Sequence, residues 1–415
     1  MRIGIVGLGY VGLPLAVAFA EAGHAVMGYD VDEARTERLG RGESDIEDVT
    51  SDRLAELDER LEATTDATRL SECDAILVCV PTPLAAEREP DLSYVRASAQ
   101  TIAANLREGQ LVVLESTTYP GTTREELLPL LEAGGLKVGT GFHLAYSPER
   151  IDPGRSAHQI AETPKVVGGV TAACTERAVA VYSEVCNEVV RVSSPEAAEL
   201  SKLLENIFRS VNIALVNELA QLTGRLGIDI WEVIDAASSK PFGFMRFEPG
   251  PGMGGHCLPI DPFYLAYKAR QHDFYTEFVE LAGKINQSQP LYCVSRIQAA
   301  LNDVGKAANG SKVLILGVSY KAGVADLREA PALKIIRHLR ALGAEVSYHD
   351  PLVPVLVEEG FESVPYEEGA AAADAVAIVT AHDGIDYEDL VERAPLVIDF
   401  RGVTRGVEAG NVVRL

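Results

Sequence analysis

Residues 250–262, Gly-Pro-Gly-Met-Gly-Gly-His-Cys-Leu-Pro-Ile-Asp-Pro, contain the residue types best suited to covalent chemistry. Cys257 directly follows His256 and precedes Asp261 by four residues. The four glycines in six positions predict a backbone that is approached closely or adopts unusual dihedral angles. A thiol beside a base or a helix end can form a thiolate, so Cys257 is a candidate nucleophile. The alternatives are a small buried hydrophobe and a metal ligand, but no companion ligands stand at zinc-like spacing.

A second candidate pair lies in a predicted helix. Lys202 and Asn206 are four residues apart, so a helix presents both on one face. A cation and an amide on one face suit the stabilisation of a developing oxyanion. The alternative is that Lys202 is a solvated surface charge.

A Gly-x-Gly-x-x-Gly motif, Gly7, Gly9 and Gly12, follows an apolar run and opens a helical one. The first glycine permits a tight turn, the second lets a pyrophosphate approach the backbone, and the third allows close packing of helix on strand. Asp30 ends the next apolar run, where a carboxylate accepts from ribose hydroxyls and repels a 2′-phosphate. These residues predict NAD rather than NADP, with a site for FAD or another nucleotide as the alternative.

Strand-like runs alternate with helical ones at both ends of the chain, which predicts α/β architecture. The character changes after Pro195, where a helical pattern runs to about Ile228 and then gives way to further helices. The expected plan is a Rossmann-type domain over 1–194, a central helical domain with a long connecting helix over 195–305, and a Rossmann-like doubly wound domain over 306–415. The predicted strands are Ile3–Val6, Ala25–Tyr29, Ala75–Val80, Leu111–Glu115, Leu144–Ser147, Lys312–Leu316, Glu345–Tyr348, Ala375–Val379 and Leu396–Asp399.

Composition narrows the range of partners and compartments. The 415 residues include 61 acidic and 37 basic side chains, a formal charge of -24, so nucleic acid and anionic lipid are disfavoured as partners. Six cysteines without a Cys-x-x-Cys pair favour a reduced protein. No apolar run is long enough to span a bilayer and no signal peptide opens the chain, so a cytoplasmic location is expected.

Segments along the whole chain resemble the UDP-glucose/GDP-mannose dehydrogenase family, whose members oxidise a nucleotide sugar's primary alcohol to a carboxylate with two NAD. The active-site loop at Cys257 is the most specific of them. The other segments are Gly7–Gly12, Val80–Pro83, Glu115–Thr123, Ser147–Arg150, Glu199–Asn206, Gly317–Lys321 and Asp326–Glu329.

The resemblance implies roles for individual residues. Cys257 would capture the aldehyde as a thiohemiacetal, which a second oxidation converts to a thioester. Water held by Asp261 with Lys202 or Glu149, and positioned by Thr118, would hydrolyse the thioester, with Asn206 also catalytic. The implied cofactor-binding residues are Gly7, Gly9, Tyr10, Val11, Gly12, Asp30, Pro81, Thr82 and Thr118. The implied substrate-binding residues are Glu149, Arg150, Lys202, Asn206, Arg246, Phe247, Gly254, Lys321 and Arg401.

Within the family, the motifs at Ser147–Arg150, Lys240–Phe244 and His256–Pro262 resemble the branch that oxidises UDP-N-acetylglucosamine. UDP-N-acetylmannosamine and UDP-glucose are the alternatives, and Arg155-Ser156-Ala157 departs from the pattern. We expect a UDP-hexuronic acid for surface polysaccharide, no bound metal, and a homodimer or higher homo-oligomer. From other classes, a two-electron hydroxyacid dehydrogenase would need no Cys257, and a nucleotide-sensing module would bind NAD without turnover.

Overall fold

The computed structural model describes residues 1–46, 48–85, 89–150, 160–255 and 258–415. The chain divides into two compact units, named here unit 1 (Met1–Glu205 with Phe263–Tyr275) and unit 2 (Asn206–Pro262 with Thr276–Leu415). Each unit is built on its own sheet, and the long central helix predicted from the sequence is present. The predicted α/β class is therefore confirmed, while the domain boundaries at 194 and 305 stay predictions.

Unit 1 is a Rossmann fold. Its sheet has the order β3-β2-β1-β4-β5-β6-β7-β8, in which the first six strands are parallel and β7 runs antiparallel to β6. Ligands of such folds bind at the carboxyl ends of the strands where the order reverses, here between β1 and β4. The strands are β1 Arg2–Val6, β2 Ala25–Tyr29, β3 Leu61–Thr64, β4 Ala75–Val78, β5 Leu111–Leu114, β6 His143–Tyr146, β7 Lys165–Gly169 and β8 Val189–Arg191.

Helices cover the sheet of unit 1. The first of them buries seven of its ten residues against the sheet, which explains its apolar sequence Gly-Leu-Pro-Leu-Ala-Val-Ala-Phe-Ala-Glu. The α-helices are α1 Gly12–Glu21, α2 Glu33–Gly40, α3 Ser51–Ala55, α4 Ser93–Ala103, α5 Leu128–Glu132 and α6 Ala172–Tyr182. Short 3-10 turns occupy Asp58–Arg60 and Ala67–Glu72, and a π-helical turn at Thr123–Leu127 precedes α5.

The central helix α7 spans Pro195–Leu226, close to the predicted range. Its 32 residues correspond to a length of about 48 Å. Proline at the first position suits a helix start, because that residue's missing N–H would have had no partner in the helix. The helices that follow are α8 Ile230–Ser238, α9 Asp261–Arg270 and α10 Glu277–Asp303.

The sheet of unit 2 is also parallel, with the order β10-β9-β13-β14-β15. Alternate residues of β9 point to opposite faces and join two apolar clusters, Val313 and Ile315 on one side and Leu314 and Leu316 on the other. The order reverses between β9 and β13, the expected ligand position. The strands are β9 Lys312–Leu316, β10 Glu345–His349, β11 Val355–Leu356, β12 Phe361–Glu362, β13 Ala375–Ile378, β14 Val397–Asp399 and β15 Val412–Arg414.

The helices of this sheet are α11 Pro331–Ala341, α12 Tyr366–Ala372 and α13 Tyr387–Arg393, and β11 pairs with β12 in a small antiparallel hairpin. Among the helices that the structure describes, none is long and apolar enough to cross a membrane.

Candidate functional site

The glycine motif of unit 1 forms a tight turn between β1 and α1. Gly7 has a φ of 92°, a conformation that glycine adopts without strain. A methyl group added at Gly12 would lie 1.8 Å from the Gly7 carbonyl oxygen, so that position accepts no side chain. At Gly9 the added methyl meets no described atom within 4 Å, so its backbone is open to approach. The turn therefore fits the pyrophosphate of a dinucleotide at the start of α1.

Asp30 lies at the carboxyl end of β2, beside the turn. Its carboxylate accepts from the Leu8 N–H at 2.8 Å and the Asp32 N–H at 3.0 Å. The guanidinium of Arg35 donates to it at 3.2 Å. A carboxylate offers about four acceptor positions, so one remains for a ribose hydroxyl. Asp30 therefore has an acceptor position for the adenosine ribose that the sequence predicts it to bind.

The segments after β4 and β5 contact each other. The Thr82 hydroxyl donates to the Thr117 carbonyl at 2.8 Å, and the Tyr264 hydroxyl donates to the Thr82 carbonyl. Thr118 is fully buried, and its hydroxyl has no hydrogen-bond partner in the part of the chain that the structure describes. A buried hydroxyl without a partner is costly, so a bound group that hydrogen-bonds it would be stabilising.

A buried ionic cluster lies next to Glu149. The Lys165 ammonium is 2.6 Å from a Glu115 oxygen and 3.5 Å from a Glu149 oxygen, and the Tyr182 hydroxyl donates to Glu115. Burial raises the pKa of Glu115 despite the opposing effect of Lys165. Burial opposes the charge on Lys165, but the two carboxylates outweigh it and its pKa is raised. This cluster, which the sequence analysis missed, fixes one side of the Glu149 carboxylate.

Arg150 is directed toward α7. Its guanidinium forms an ion pair with Glu205 at 2.8 Å and donates to the Pro164 carbonyl at 2.6 Å. The Arg150 N–H donates to the Glu149 carboxylate at 2.6 Å. The structure thus places Arg150 in a protein network, and its role with substrate stays a prediction.

Glu199 on α7 holds the loop that follows β5. Its fully buried carboxylate accepts from the Gly121 N–H at 2.6 Å and from the Thr123 N–H and hydroxyl at 2.8 and 2.7 Å. Burial raises the pKa of Glu199 to about 7 against these hydrogen bonds. Glu199 lies in a segment that resembles the family, but no role was predicted for it. The structure shows that its carboxylate anchors the loop at Gly121 and Thr123.

Lys202 lies almost one turn after Glu199 on the same helix. Its side chain is buried, with the residue 8% exposed. Its ammonium makes no hydrogen bond or ion pair with any residue in the described ranges. Most of the Lys202 side chain is therefore buried while its ammonium remains accessible to solvent, and its catalytic role stays a prediction.

In unit 2, Asn206 and Asp261 are in contact. The Asn206 amide donates to a carboxylate oxygen of Asp261, and both residues are buried. Asp261 is the first residue of α9. The neighbouring His256 and Cys257 lie outside the described residues, as do Arg155, Ser156 and Ala157.

The glycine-rich loop of unit 2 packs against the predicted nucleotide-binding residues. A methyl group added at Gly254 would lie 2.6 Å from Cβ of Tyr320, the neighbour of Lys321. One added at Gly250 would lie 2.5 Å from a guanidinium nitrogen of Arg401. The close approach that the glycines predicted is therefore present, and it joins this loop to the ends of β9 and β14.

Buried amides in α7 and α10 anchor the start of the loop. The Asn217 oxygen accepts from the Gly250 N–H at 2.9 Å, and the Asn217 amide donates to Asn286 at 3.1 Å. Asn286 in turn donates to the Ser210 carbonyl at 3.0 Å. This amide ladder was also missed, because nothing local in the sequence distinguishes Asn217 from other helical polar residues.

Asp399 supports Arg401 from the end of β14. Its carboxylate accepts from the Arg401 and Gly402 N–H groups at 2.8 Å each, and from the N–H and hydroxyl of Thr404. Burial lowers the pKa of Arg401, which nevertheless remains a cation. A partly desolvated guanidinium suits a diphosphate, because arginine binds phosphate oxygens in bidentate fashion.

Two further cations, Arg328 and the predicted substrate-binding residue Arg246, pair with carboxylates of the protein. Arg328 donates to Asp326 at 2.9 Å. Arg246 pairs with Asp235 at 2.6 Å and with Glu248 at 3.0 Å. The adjacent Phe247 packs edge-on against Phe208, with the ring centroids 5.7 Å apart.

No group of three or more His, Cys, Asp or Glu among the described residues is arranged to hold a metal ion. The five described cysteines are buried and unpaired with one another, as expected of packing residues.

Three family models match successive parts of the chain. They are described as the NAD-binding domain (residues 1–186), the central domain (196–288) and the UDP-binding domain (314–406) of the UDP-glucose/GDP-mannose dehydrogenase family. The chain belongs to this family. The predicted enzyme class, an NAD-dependent UDP-sugar dehydrogenase, and the predicted cofactor, NAD, are confirmed.

Similar proteins differ in the sugar they are named for. A UDP-N-acetyl-D-glucosamine 6-dehydrogenase of Pseudomonas aeruginosa is 35% identical over 92% of this chain and 90% of its own length. A UDP-N-acetyl-D-mannosamine dehydrogenase of Pyrococcus horikoshii is 34% identical over 100% of this chain and 98% of its own length. The structure of a UDP-D-ManNAc dehydrogenase from Pyrococcus horikoshii superposes with a TM-score of 0.92 at 33% identity, covering 100% of this chain and 99% of that one.

Proposed function

We propose that this chain oxidises the 6-hydroxyl of UDP-N-acetylglucosamine to a carboxylate in two successive NAD-dependent steps, through a thioester on Cys257, for surface polysaccharide. The sugar assignment is supported by the motifs at Ser147–Arg150 and His256–Pro262. It is also supported by relatives named UDP-N-acetyl-D-glucosamine 6-dehydrogenase at 35% identity. The oxidation chemistry rests above all on the environment of Lys202.

An ammonium at the end of a mostly buried side chain is a good partner for an anion, because the surrounding protein screens the Coulombic interaction less than bulk water does. Lys202 has no anionic partner in the described part of the chain. An oxyanion on a bound substrate would supply one, and it would do so most strongly when negative charge develops during reaction. Lys202 therefore suits a group that stabilises an alkoxide or a tetrahedral intermediate.

The proposed reaction removes two hydrides from the sugar and ends in hydrolysis of a thioester. NAD supplies the hydride acceptor for both oxidations. Loss of a hydride from C6 and of the hydroxyl proton gives an aldehyde, to which the Cys257 thiolate adds, and the oxygen takes up a proton. Loss of a second hydride and of that proton leaves a thioester. Water then attacks the thioester carbon, giving the carboxylate and releasing the thiolate, and its two protons pass through the proposed bases to solvent.

Asp261 and Thr118 are proposed to act in the hydrolysis. The hydrogen bond from Asn206 orients the carboxylate of Asp261, which is proposed to accept a proton of the attacking water. The buried hydroxyl of Thr118 is available to a ligand or a water. Glu149, held by Lys165, is proposed as a further proton acceptor.

Lys321 and Arg401 are proposed to bind the diphosphate of the UDP-sugar. They follow β9 and β14 at the carboxyl edge of one parallel sheet, where ligands of doubly wound folds bind. The family model that matches this region is described as UDP-binding. In a chain with a formal charge of -24, two cations at such an edge form a local anion site.

We also propose a homodimer formed through α7. Apolar side chains at separations of 7, 11, 14 and 18 residues from Phe208 lie near whole helical turns and so share one face. All are exposed in the single chain: Phe208, Leu215, Leu219, Leu222 and Leu226. A second copy of the chain would bury this stripe.

A panel of UDP-sugars with NADH as the readout tests the reaction and the sugar. We expect two NADH per sugar consumed and the highest kcat/KM for UDP-N-acetylglucosamine. UDP-N-acetylmannosamine is the second candidate, because relatives and a superposable structure carry that name. A higher kcat/KM for it would overturn the sugar assignment alone, and one NADH per sugar would refute the four-electron route.

Replacement of Cys257 tests the thioester. Cys257→Ser should nearly abolish formation of the acid, because a hydroxyl is a far weaker nucleophile than a thiolate. Binding of NAD and of UDP, measured separately, serves as the control for folding. Full acid yield from the serine variant would eliminate the covalent route.

A further inference from the structure

A buried polar cluster lies at the switch point of the unit 2 sheet. Ser319 follows β9, Asp350 follows β10, and Thr380 and His382 follow β13. All four side chains are buried, and His382 is only 4% exposed. The loop that starts at Ser319 also contains Lys321, which is proposed above to bind the diphosphate.

The hydrogen bonds define the tautomer of His382. Its Nδ1 faces the Gly323 N–H at 3.4 Å, and since a backbone amide only donates, Nδ1 is the acceptor. The ring proton is then on Nε2, which is 3.0 Å from Asp350 Oδ2 and 3.0 Å from the Ser319 hydroxyl. His382 therefore contacts the loop 319–323 on both sides of Lys321.

Ser319 links His382 to the main chain of Lys321. Its hydroxyl donates to the Lys321 carbonyl at 3.0 Å, while its own carbonyl accepts from the Thr380 hydroxyl at 2.6 Å. The main chain of Lys321 is thus fixed through one hydroxyl that His382 orients.

Asp350 follows the second strand of the unit 2 sheet, just as Asp30 follows the second strand of the unit 1 sheet, but its carboxylate has different partners. Its carboxylate accepts from the Val318, Ser319, Leu352 and Val353 N–H groups at 2.7, 3.1, 2.9 and 3.2 Å. Together with His382 these donors occupy its acceptor positions, so no position remains for a ribose hydroxyl. The carboxylate is an anchor for His382 and the loop rather than a ligand of the nucleotide.

We propose that His382 is a positioning residue for UDP binding: through Ser319 and Gly323 it holds the loop 319–323 so that Lys321 meets the diphosphate. The proposal rests on the proposed role of Lys321. The bonds that connect His382 to this loop end on Ser319, on the Gly323 N–H and, through Ser319, on the Lys321 carbonyl, so the proposed effect is exerted through the main chain.

The affinity for UDP, measured by calorimetry, tests this proposal. The affinity for uridine, which lacks the diphosphate and is measured by competition with UDP, serves as the comparison. Lys321→Ala should weaken UDP by roughly 10- to 100-fold, the loss of a charge-assisted hydrogen bond, and change uridine little. His382→Leu should reproduce that pattern, and the double variant should be no weaker than either single one. His382→Gln keeps a donor near the position of Nε2 and should recover most of the affinity.

Each of the other outcomes would refute either the role of His382 or the diphosphate site itself. If Lys321→Ala weakens UDP but His382→Leu binds it like the parent, the role of His382 is refuted and the diphosphate site stands. Equal weakening of UDP and uridine by His382→Leu would also refute it, since a general loss of structure has no preference for the diphosphate. If Lys321→Ala binds UDP like the parent, the diphosphate site itself is wrong, and the proposal falls with it. Should His382→Leu not fold, judged by the fluorescence of Trp231, Ser319→Ala provides the same comparison, because it removes the hydroxyl that links His382 to the Lys321 carbonyl.

Discussion

Replacement of Gly402 should destabilise unit 2 through two separable effects. Gly402 has a φ of 67°, which costs other residues about 1–2 kcal/mol. A methyl group there would also lie 2.7 Å from Cε2 of the buried Trp231, and overpacking of this kind costs about 1–3 kcal/mol. The expected loss for Gly402→Ala is the sum, about 2–5 kcal/mol.

Two nearby glycines provide matched controls. Gly406 has a φ of 94° with no described atom within 4 Å of an added methyl, so Gly406→Ala should show only the backbone cost of about 1–2 kcal/mol. Gly410 has neither feature, and Gly410→Ala should be neutral or stabilising by about 0.4–1 kcal/mol.

Urea unfolding followed by tryptophan fluorescence measures these differences, since Trp231 is the only tryptophan in the sequence and is itself the side chain contacted. Gly402→Ala should also weaken UDP, because the Gly402 and Arg401 N–H groups share the Asp399 carboxylate. If Gly402→Ala proves as stable as Gly406→Ala, the indole of Trp231 moves to accommodate the added methyl group without cost, and the packing argument is wrong.

Three further predictions follow from single residues. The folded-state pKa of Glu199, about 7, exceeds its ordinary value of 4.5, so its contribution to stability is complete below pH 4.5 and is lost as the pH rises through 7. The difference in free energy of unfolding between the parent and Glu199→Gln should therefore change by up to about 3 kcal/mol across that window, and a difference that is constant with pH would contradict it. Asp30→Ala should weaken NAD far more than NADP in steady-state kinetics, because a ribose acceptor and a phosphate-repelling charge are both lost, whereas an unchanged preference would show that Asp30 does not contact the ribose. Leu219→Glu should halve the particle mass measured by light scattering while Leu219→Met should not, and an unchanged mass in the glutamate variant would rule out dimerisation through α7.

The features that the sequence predicted are those encoded by neighbouring residues. The turn at Gly7, the helix that begins at Pro195 and the apolar strands β1, β2 and β9 all follow from local patterns. The strands that were missed lack such a pattern. β3, Leu-Glu-Ala-Thr, lies at the edge of its sheet and is half polar, and β7, Lys-Val-Val-Gly-Gly, starts with a charge and ends in two glycines.

The site residues that were missed depend on partners far away in the sequence. Lys165 is a buried strand residue only because Glu115, 50 positions earlier, compensates its charge. Glu199 and His382 act through backbone groups of loops at separations of 78 and 59 residues. No local periodicity encodes such contacts, so the sequence could identify the residue types of the site but not what holds them.

The anchoring of the glycine-rich loop has a consequence for the order of folding. Gly250 reaches its hydrogen-bond acceptor Asn217 across 33 residues, and Asn217 reaches Asn286 across 69. Loop-closure entropy disfavours such distant contacts until the helices that carry them have paired. Residues 250–255 should therefore take up their native backbone late, after α7 and α10 have docked. A nascent chain whose synthesis has stopped before α10 would lack Asn286, the partner of Asn217, so we expect residues 250–255 to acquire protection against amide hydrogen exchange only after α10 has docked.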